Sequence, residues 1–162
     1  MFEFILILNT EHLLFPQTTP MKAIFTILIL ISSLTSFSQS DDVVGDYALT
    51  LKTVDNDVFE YKLTLSQDGT FVFHYYSHIK NGIPPEKNKY GKGKWTVENK
   101  VVSFFSDKQK DIDEKFTLDF TNSKARFITK SPRDQTDQIV KTRLKFLKSE
   151  IFWMRTIEML KI

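Results

Sequence analysis

Two histidines are the first residues whose type and spacing could support metal chemistry. His74 and His78 lie four residues apart in a segment that alternates apolar and polar side chains. On an extended strand they would share a face but lie about 13 Å apart, because each residue advances the chain by about 3.3 Å. One ion cannot bridge that distance without a sharp bulge, and the sequence contains no cysteine. We interpret both as strand-surface residues and expect no metal site and no cofactor.

Two groups of carboxylates could instead attract calcium. Asp55 and Asp57 form one group, and Asp111, Asp113 and Glu114 form the other. Neither group has the spaced oxygen ligands and the glycine of a dedicated calcium loop. Solvated turns are therefore the favoured interpretation of both.

Nucleophilic catalysis has little support in the sequence. It contains neither a Gly-x-Ser-x-Gly elbow nor a cysteine, and His74 and His78 are predicted on one strand. A serine that the fold brings beside one of these histidines stays an open alternative, because triads assemble in space. We predict that the protein has no catalytic residues and is not an enzyme.

A basic stripe in the last third of the chain could bind anions. Lys141, Arg143 and Lys145 are spaced two residues apart, which would place them on one strand face about 6.6 Å from each other. Such a stripe could contact lipid headgroup phosphates or another polyanion. The alternative is a solvated outer face that protects the strand from edge pairing. The net charge of +2 is too modest to indicate a nucleic-acid partner.

Nine aromatic residues could form either a core or a ligand pocket. They are Tyr47, Phe59, Tyr61, Phe71, Phe73, Tyr75, Trp95, Phe116 and Phe120. A small barrel can be filled by side chains or can hold one ligand, and strand count does not separate the two cases. Core packing and a cavity for a small apolar ligand both stay open at this point.

Strands are the elements that must position these residues. Period-two alternation is clearest at 59–66 and returns at 71–76, and Gly69 supplies the tight turn between them. Further strands are predicted at 90–97, 101–106, 115–120, 125–130, 139–147 and 151–157, and only 111–114 and 158–162 could form a helical turn. The pattern predicts an all-β fold, an antiparallel up-and-down meander of about eight to nine strands that closes or partly closes into a barrel.

The region from Met21 to Ser38 has the order of a secretory signal peptide. A cationic start precedes the apolar run 23–31, and small residues lead to a cleavage site before Gln39. The run is shorter than the roughly 20 residues that span a bilayer. Residues 1–20 are acidic, which favours an upstream start assigned too early; a long leader before the signal is the alternative.

Residues 39–162 are then predicted to form a single domain. No cysteine follows the cleavage site to accept a lipid. We therefore expect an exported, soluble, non-lipidated protein, periplasmic or secreted, with no transmembrane anchor after signal cleavage.

Short motifs resemble those of small exported bacterial lipocalin-like domains. Gly45-Asp46-Tyr47 opens the first strand, Asp68-Gly69-Thr70-Phe71 forms the next hairpin turn, and Gly93-Lys94-Trp95 lies on a middle strand. In that family a glycine precedes an aromatic residue on the first strand, and Gly-x-Trp follows a D-G-x-F hairpin. The resemblance covers most of 45–162. It implies a small barrel or half-barrel in which Trp95 closes one end.

Two functional hypotheses follow. The first is a binding module that holds a small apolar ligand in its interior. The alternative is an interaction or structural protein of the cell envelope, with an envelope component or another protein as partner. In that case the outer surface acts, including the basic stripe 141–145.

Overall fold

The computed structural model describes residues 42–162. The expected signal peptide, its cleavage site and the acidic leader lie outside the described residues. Within 42–162, no helix combines the length and the apolar character needed to cross a bilayer.

Eight antiparallel strands close into a barrel in sequence order, and β1 pairs with both β2 and β8. The strands are β1 Gly45–Lys52, β2 Val58–Leu65, β3 Thr70–His78, β4 Glu86–Glu98, β5 Val101–Phe105, β6 Lys124–Ile128, β7 Arg143–Lys148 and β8 Glu158–Lys161. A short 3₁₀ helix, Phe152–Met154, lies between β7 and β8. The prediction of an all-β, up-and-down meander is confirmed, and the barrel is closed.

The up-and-down order places alternate connections at opposite ends of the barrel. The upper end, where β1 begins, carries residues 42–44 and the connections 66–69, 99–100 and 129–142. The lower end carries the connections 53–57, 79–85, 106–123 and 149–157.

Alternation along β2 and β3 directs apolar side chains inward. Leu63, Leu65, Phe71 and Phe73 are at most 1% exposed, while the residues between them face outward. The hairpin that joins these strands turns at Gly69, whose φ of +79° is a conformation that glycine adopts without steric cost. Both the strands and the turn agree with the sequence prediction.

Three predicted elements in the second half are wrong. Residues 115–120 form no strand: their one β-bridge joins Phe116 to Tyr90, and the Leu118 N–H also donates to the Tyr90 carbonyl. Residues 151–157 contain the 3₁₀ helix instead of a strand, and most of 158–162, where the sequence allowed a helical turn, is β8. Barrel closure explains these differences. The last residues pair with β1 as strand β8. Residues 115–120 and 151–157 lie in the connections and act as plugs, that is, they insert apolar side chains into the core without pairing as strands.

The predicted strand at 139–147 begins later, at Arg143. Lys141 therefore lies in the 129–142 connection and does not share a strand face with Arg143 and Lys145. The three basic residues do not form one continuous stripe on a strand.

Candidate ligand-binding site

The nine aromatic candidates separate into three environments. Tyr47, Tyr61, Phe71, Phe73, Trp95 and Phe120 are buried in the barrel; Phe59 and Tyr75 are half-buried and pack against that core; Phe116 is half-buried elsewhere. Eight of the nine candidates therefore lie in or against the barrel core, as expected for residues on the inward faces of the strands.

Phenylalanine rings fill the middle of the barrel. The Phe120 ring centroid lies 5.3 Å from that of Phe71 and 5.0 Å from that of Phe73. Phe104 packs 5.1 Å from Phe71 and 5.5 Å from Phe146. These are the separations of directly packed aromatic pairs, so these side chains act as core at this level. Phe104 and Phe146 were not among the candidates; the alternation of basic and apolar residues at 143–146 could have identified Phe146, whereas 101–106 does not alternate.

Gly91 makes room for the Phe120 plug. A Cβ at this position would lie 2.6 Å from the Phe120 ring. Because Gly91 faces inward on β4 opposite Phe73, the missing side chain leaves the space that Phe120 enters from the 106–123 connection. The glycine and the plug thus form one packing unit.

Near the upper end, the polar side-chain atoms of Trp95 and Tyr47 both have hydrogen-bond partners. The Trp95 Nε1–H donates to the Ser66 carbonyl oxygen at 3.1 Å, and its backbone N–H donates to the Gly69 carbonyl at 2.8 Å. The Tyr47 hydroxyl donates to the Val43 carbonyl. Burial raises the pKa of Tyr47 well above its ordinary value near 10. Neither side chain offers a free polar group to a ligand.

A second aromatic cluster lies at the lower end. Trp153 of the 3₁₀ helix packs 4.6 Å from Tyr75 and 5.9 Å from Tyr61, measured between ring centroids. Burial, followed by the charge of Tyr75, raises the pKa of Tyr61. Trp153 was missed as a candidate because its segment was predicted as a strand without an assigned inward face.

Phe116 lies on the outer surface of β4. Its ring packs against Tyr90, and the Lys92 Nζ lies 4.5 Å from the ring centroid. Tyr90 and Lys92 face outward, since Gly91 between them faces the core. Phe116 is therefore not an interior residue.

The most suitable ligand site is a cleft of about 430 Å³ at the upper end. Its apolar lining comes from Val43, Val97 and Phe127. Its remaining lining residues are Asp42, Lys100, Thr129, Lys130, Pro132, Thr142 and Lys161. They come from the segment before β1, the β4–β5 turn, the β6–β7 connection and β8, so only the folded barrel brings them together. None of the nine aromatic candidates lines it.

Lysine side chains make the cleft basic. Lys161 donates from its Nζ to the Asp42 carbonyl oxygen at 2.7 Å, and Lys130 donates to the Thr136 carbonyl. Within residues 42–162, none of Lys100, Lys130 and Lys161 forms a salt bridge with a carboxylate. Asp42 is the one acid in the lining. An apolar floor with a basic rim is suited to a ligand that has an apolar body and an anionic group.

A second cleft, of about 480 Å³, lies at the lower end between two connections. It contains Asp55 and Asp57, and the Asp57 Oδ1 accepts a hydrogen bond from the Lys80 backbone N–H at 3.0 Å. This carboxylate stabilises the loop, as the solvated-turn interpretation requires.

The other carboxylate group also has structural partners. Asp113 accepts hydrogen bonds from the backbone N–H groups of Lys115 and Phe116, and it pairs with Lys92 at 3.2 Å. The bond from Phe116 is the largest contribution that lowers the pKa of Asp113. Asp111 accepts from the Asp107 N–H at 2.8 Å.

The histidines face outward and have separate neighbours. His74 Nε2 lies 2.8 Å from Asn88 Oδ1, and the His74 ring stacks on Tyr90. His78 Nδ1 lies 3.6 Å from Glu86 Oε1. No group of three or more His, Asp or Glu residues in the described part of the chain could hold a metal ion.

Glu158 of β8 neutralises much of the expected basic stripe. It lies 2.8 Å from the Lys145 Nζ and 3.0 Å from the Arg143 Nε. The Arg143 Nε–H does not meet hydrogen-bond geometry, so that second contact is an ion pair without a directional bond. The hydrogen bond from Lys145 is the main cause that lowers the pKa of Glu158.

Comparison of the chain with models of protein families, with curated proteins and with solved structures finds no match in any of the three. The functional argument therefore depends on the geometry of this barrel.

Proposed function

We propose that this protein is an exported, lipocalin-like binding module, periplasmic or secreted and without catalytic activity. Its ligand is a small amphipathic anion bound in the upper cleft. The apolar part of the ligand lies against Val43, Val97 and Phe127, and its anionic group lies among Lys100, Lys130 and Lys161. One observation carries the proposal: an apolar floor is surrounded by Lys100, Lys130 and Lys161, which form no salt bridge within the described part of the chain.

The size of the cleft supports a small ligand. Pockets for small molecules have volumes of roughly 300–1,000 Å³, and this cleft has about 430 Å³. The phenylalanine layer around Phe120 occupies the middle of the barrel, so the ligand is expected at the mouth and not in the centre. This relocates the apolar ligand of the sequence hypothesis and adds a charged group to it.

The alternative function, interaction through the stripe 141–145, has weaker support. Glu158 pairs with two of its three basic residues, and Lys141 lies off the strand.

The first test is native mass spectrometry of the protein isolated from its own compartment. A reproducible added mass in the small-molecule range would identify the cargo class. Titration with dodecanoate, compared with the uncharged dodecanol, then tests the required charge. The anion should bind at least about tenfold more tightly, because hydrogen bonds to charged groups contribute about 1.5–3 kcal/mol.

Two cleft variants localise the site. Thr142→Trp should obstruct the cleft, and Lys100→Gln with Lys130→Gln should remove most of the preference for the anion. The matched controls are Thr50→Trp on the outer face of β1, and Lys87→Gln with Lys89→Gln on β4; all three control residues are exposed. Unchanged dodecanoate affinity in the cleft variants, or equal affinity for the alcohol, would contradict the proposal.

A further inference from the structure

The outer face of β5, β6 and β7 has an unusual composition. These three strands contain no acidic residue. We name as the basic outer face six exposed side chains of this region and of the adjoining part of β4: Lys94, Phe105, Lys124, Arg126, Leu147 and Lys148. The exposed Thr96 and Glu98 of β4 lie beyond it toward the upper end, where Glu98 pairs with Val101 of β5. It is separate from the upper cleft and shares no lining residue with it.

Strand register places these side chains side by side. Lys94 of β4 is paired with Phe105 of β5, and Lys124 of β6 is paired with Lys148 of β7. Lys124 also pairs with Ser103 of β5, so it lies on the strand between those that carry Phe105 and Leu147. Neighbouring strands are about 4.8 Å apart, which makes the face continuous across the sheet.

The cations of this face are free to meet an external anion. Within residues 42–162, the side chains of Lys94, Lys124, Arg126 and Lys148 form no salt bridge. Arg143 and Lys145, in contrast, are occupied by Glu158. These four cations therefore lie beside the stripe that the sequence indicated: Lys124 and Arg126 are on β6, Lys94 is on β4, and Lys148 is further along β7.

Two large apolar side chains project from the same face. Phe105 is 54% exposed and Leu147 is 53% exposed. A soluble polyanion would use the cations alone and gain little from these two residues. An anionic bilayer surface offers both partners, since its phosphates attract Lys and Arg while its interfacial region accepts apolar side chains.

We propose that the basic outer face docks the protein reversibly on an anionic lipid surface. Lys94, Lys124, Arg126 and Lys148 contact headgroup phosphates, and Phe105 and Leu147 enter the interface. Phe105, Lys124 and Lys148 lie where their strands meet the lower end of the barrel, so the contact lies nearest that end and the upper cleft stays open to solvent.

The test is co-sedimentation of the purified protein with vesicles. Vesicles of phosphatidylcholine alone are compared with vesicles in which about one third of the lipid is phosphatidylglycerol, at low and at high salt. Binding should require the anionic lipid and should weaken with salt. No retention on the anionic vesicles would overturn the proposal.

Two double variants distinguish binding through the basic outer face from a general effect of the protein's net charge. Lys124→Gln with Arg126→Gln should lower the partition coefficient roughly 20-fold or more, at about fivefold for each cation. The control, Lys52→Gln with Lys80→Gln, makes the same charge change at exposed positions on β1 and the lower end, and it should bind as the wild type does. β1 lies opposite β5 in the eight-stranded order. Equal losses in both double variants would overturn the proposal.

The apolar residues distinguish a bilayer from a soluble polyanion. Phe105→Ser and, as a second variant, Leu147→Ser should each reduce vesicle binding severalfold while their unfolding midpoints stay close to that of the wild type. Heparin binding should be unaffected by either change. If both variants keep full vesicle binding and heparin competes completely, the face is a general polyanion site and the lipid proposal is wrong.

Discussion

The two halves of the barrel differ in strand length. Strands β1 to β4 have 8, 8, 9 and 13 residues, whereas β5 to β8 have 5, 5, 6 and 4. The first half can therefore rely on long backbone ladders. The second half has short ladders and long connections, and it must obtain its cohesion in another way.

Side chains from the connections supply that cohesion. Phe120, between β5 and β6, and Met154, between β7 and β8, are both completely buried. Each brings apolar surface into the core that a short strand does not provide. Closure of this barrel therefore depends on buried side chains from the connections in the second half and on long strand pairing in the first.

The largest expected effect comes from removing the main plug. Phe120→Ala should lower the free energy of unfolding by about 3–5 kcal/mol, because it deletes a buried ring and leaves a cavity. Although the ring packs on Phe71 and Phe73 of β3, hydrogen exchange should show greater loss of protection in β5 to β8 than in β2 and β3, because the short ladders of β5 to β8 open more readily. The control Phe105→Ala removes an exposed ring from β5 and should cost less than about 1 kcal/mol. Equal loss of protection in both halves would refute the comparison.

A smaller loss of unfolding free energy is expected at Gly91 of β4, close to the boundary between the two halves. Gly91→Ala should cost about 1–3 kcal/mol in chemical unfolding, because its Cβ would collide with the Phe120 ring. In a Phe120→Leu background the same substitution should cost less, since the smaller side chain leaves space. Identical costs in the two backgrounds would show that the Phe120 ring is not what excludes a side chain.

Where β1 pairs with β8 to close the barrel, a contact called here the seam, Tyr47 should make the free energy of unfolding depend on pH. Tyr47→Phe should cost about 0.5–1.5 kcal/mol at pH 7, because it removes the hydrogen bond to Val43. The folded pKa of Tyr47 is raised above 10, so its contribution is complete below pH 10 and is lost as the pH rises. The wild type should lose up to about 1.4 kcal/mol per pH unit from this group, and the variant should not.

Denaturant titrations at neutral pH and near pH 11 measure that difference. The gap between the wild type and Tyr47→Phe should narrow at the higher pH. A gap that stays constant would mean that Tyr47 ionises equally well in the folded and unfolded chains.

The smallest effect is expected at Glu158, on the other side of the seam. Its pKa is lowered below the ordinary 4.5, so its stabilising effect is present above that pH and is lost as the pH falls further. Glu158→Gln should shift the unfolding midpoint only slightly at neutral pH, since Glu158, Arg143 and Lys145 are all partly exposed and solvent screens their ion pairs. The same change should strengthen anionic-vesicle binding by releasing Arg143 and Lys145. Weaker vesicle binding would contradict this expectation.

The success of the sequence prediction follows the same division between the halves. In the first half, alternation at 59–66 and 71–76 identified both strands and their inward faces. In the second half, 115–120 has the same alternation, with Leu118 and Phe120 two residues apart, but these residues plug the core from a connection. An apolar period of two does not reveal whether the backbone pairs with a neighbour, because pairing is a non-local property.

The sequence by itself determined the fold class and the inward residues of β2 and β3, because the side-chain alternation of a strand is a local property of extended backbone. The tertiary structure decided closure through β8, the pairing of Glu158 with the expected stripe and the assembly of the upper cleft from four separate segments. Each of these depends on contacts between residues that are distant in the chain. Their geometry exists only once the barrel has closed.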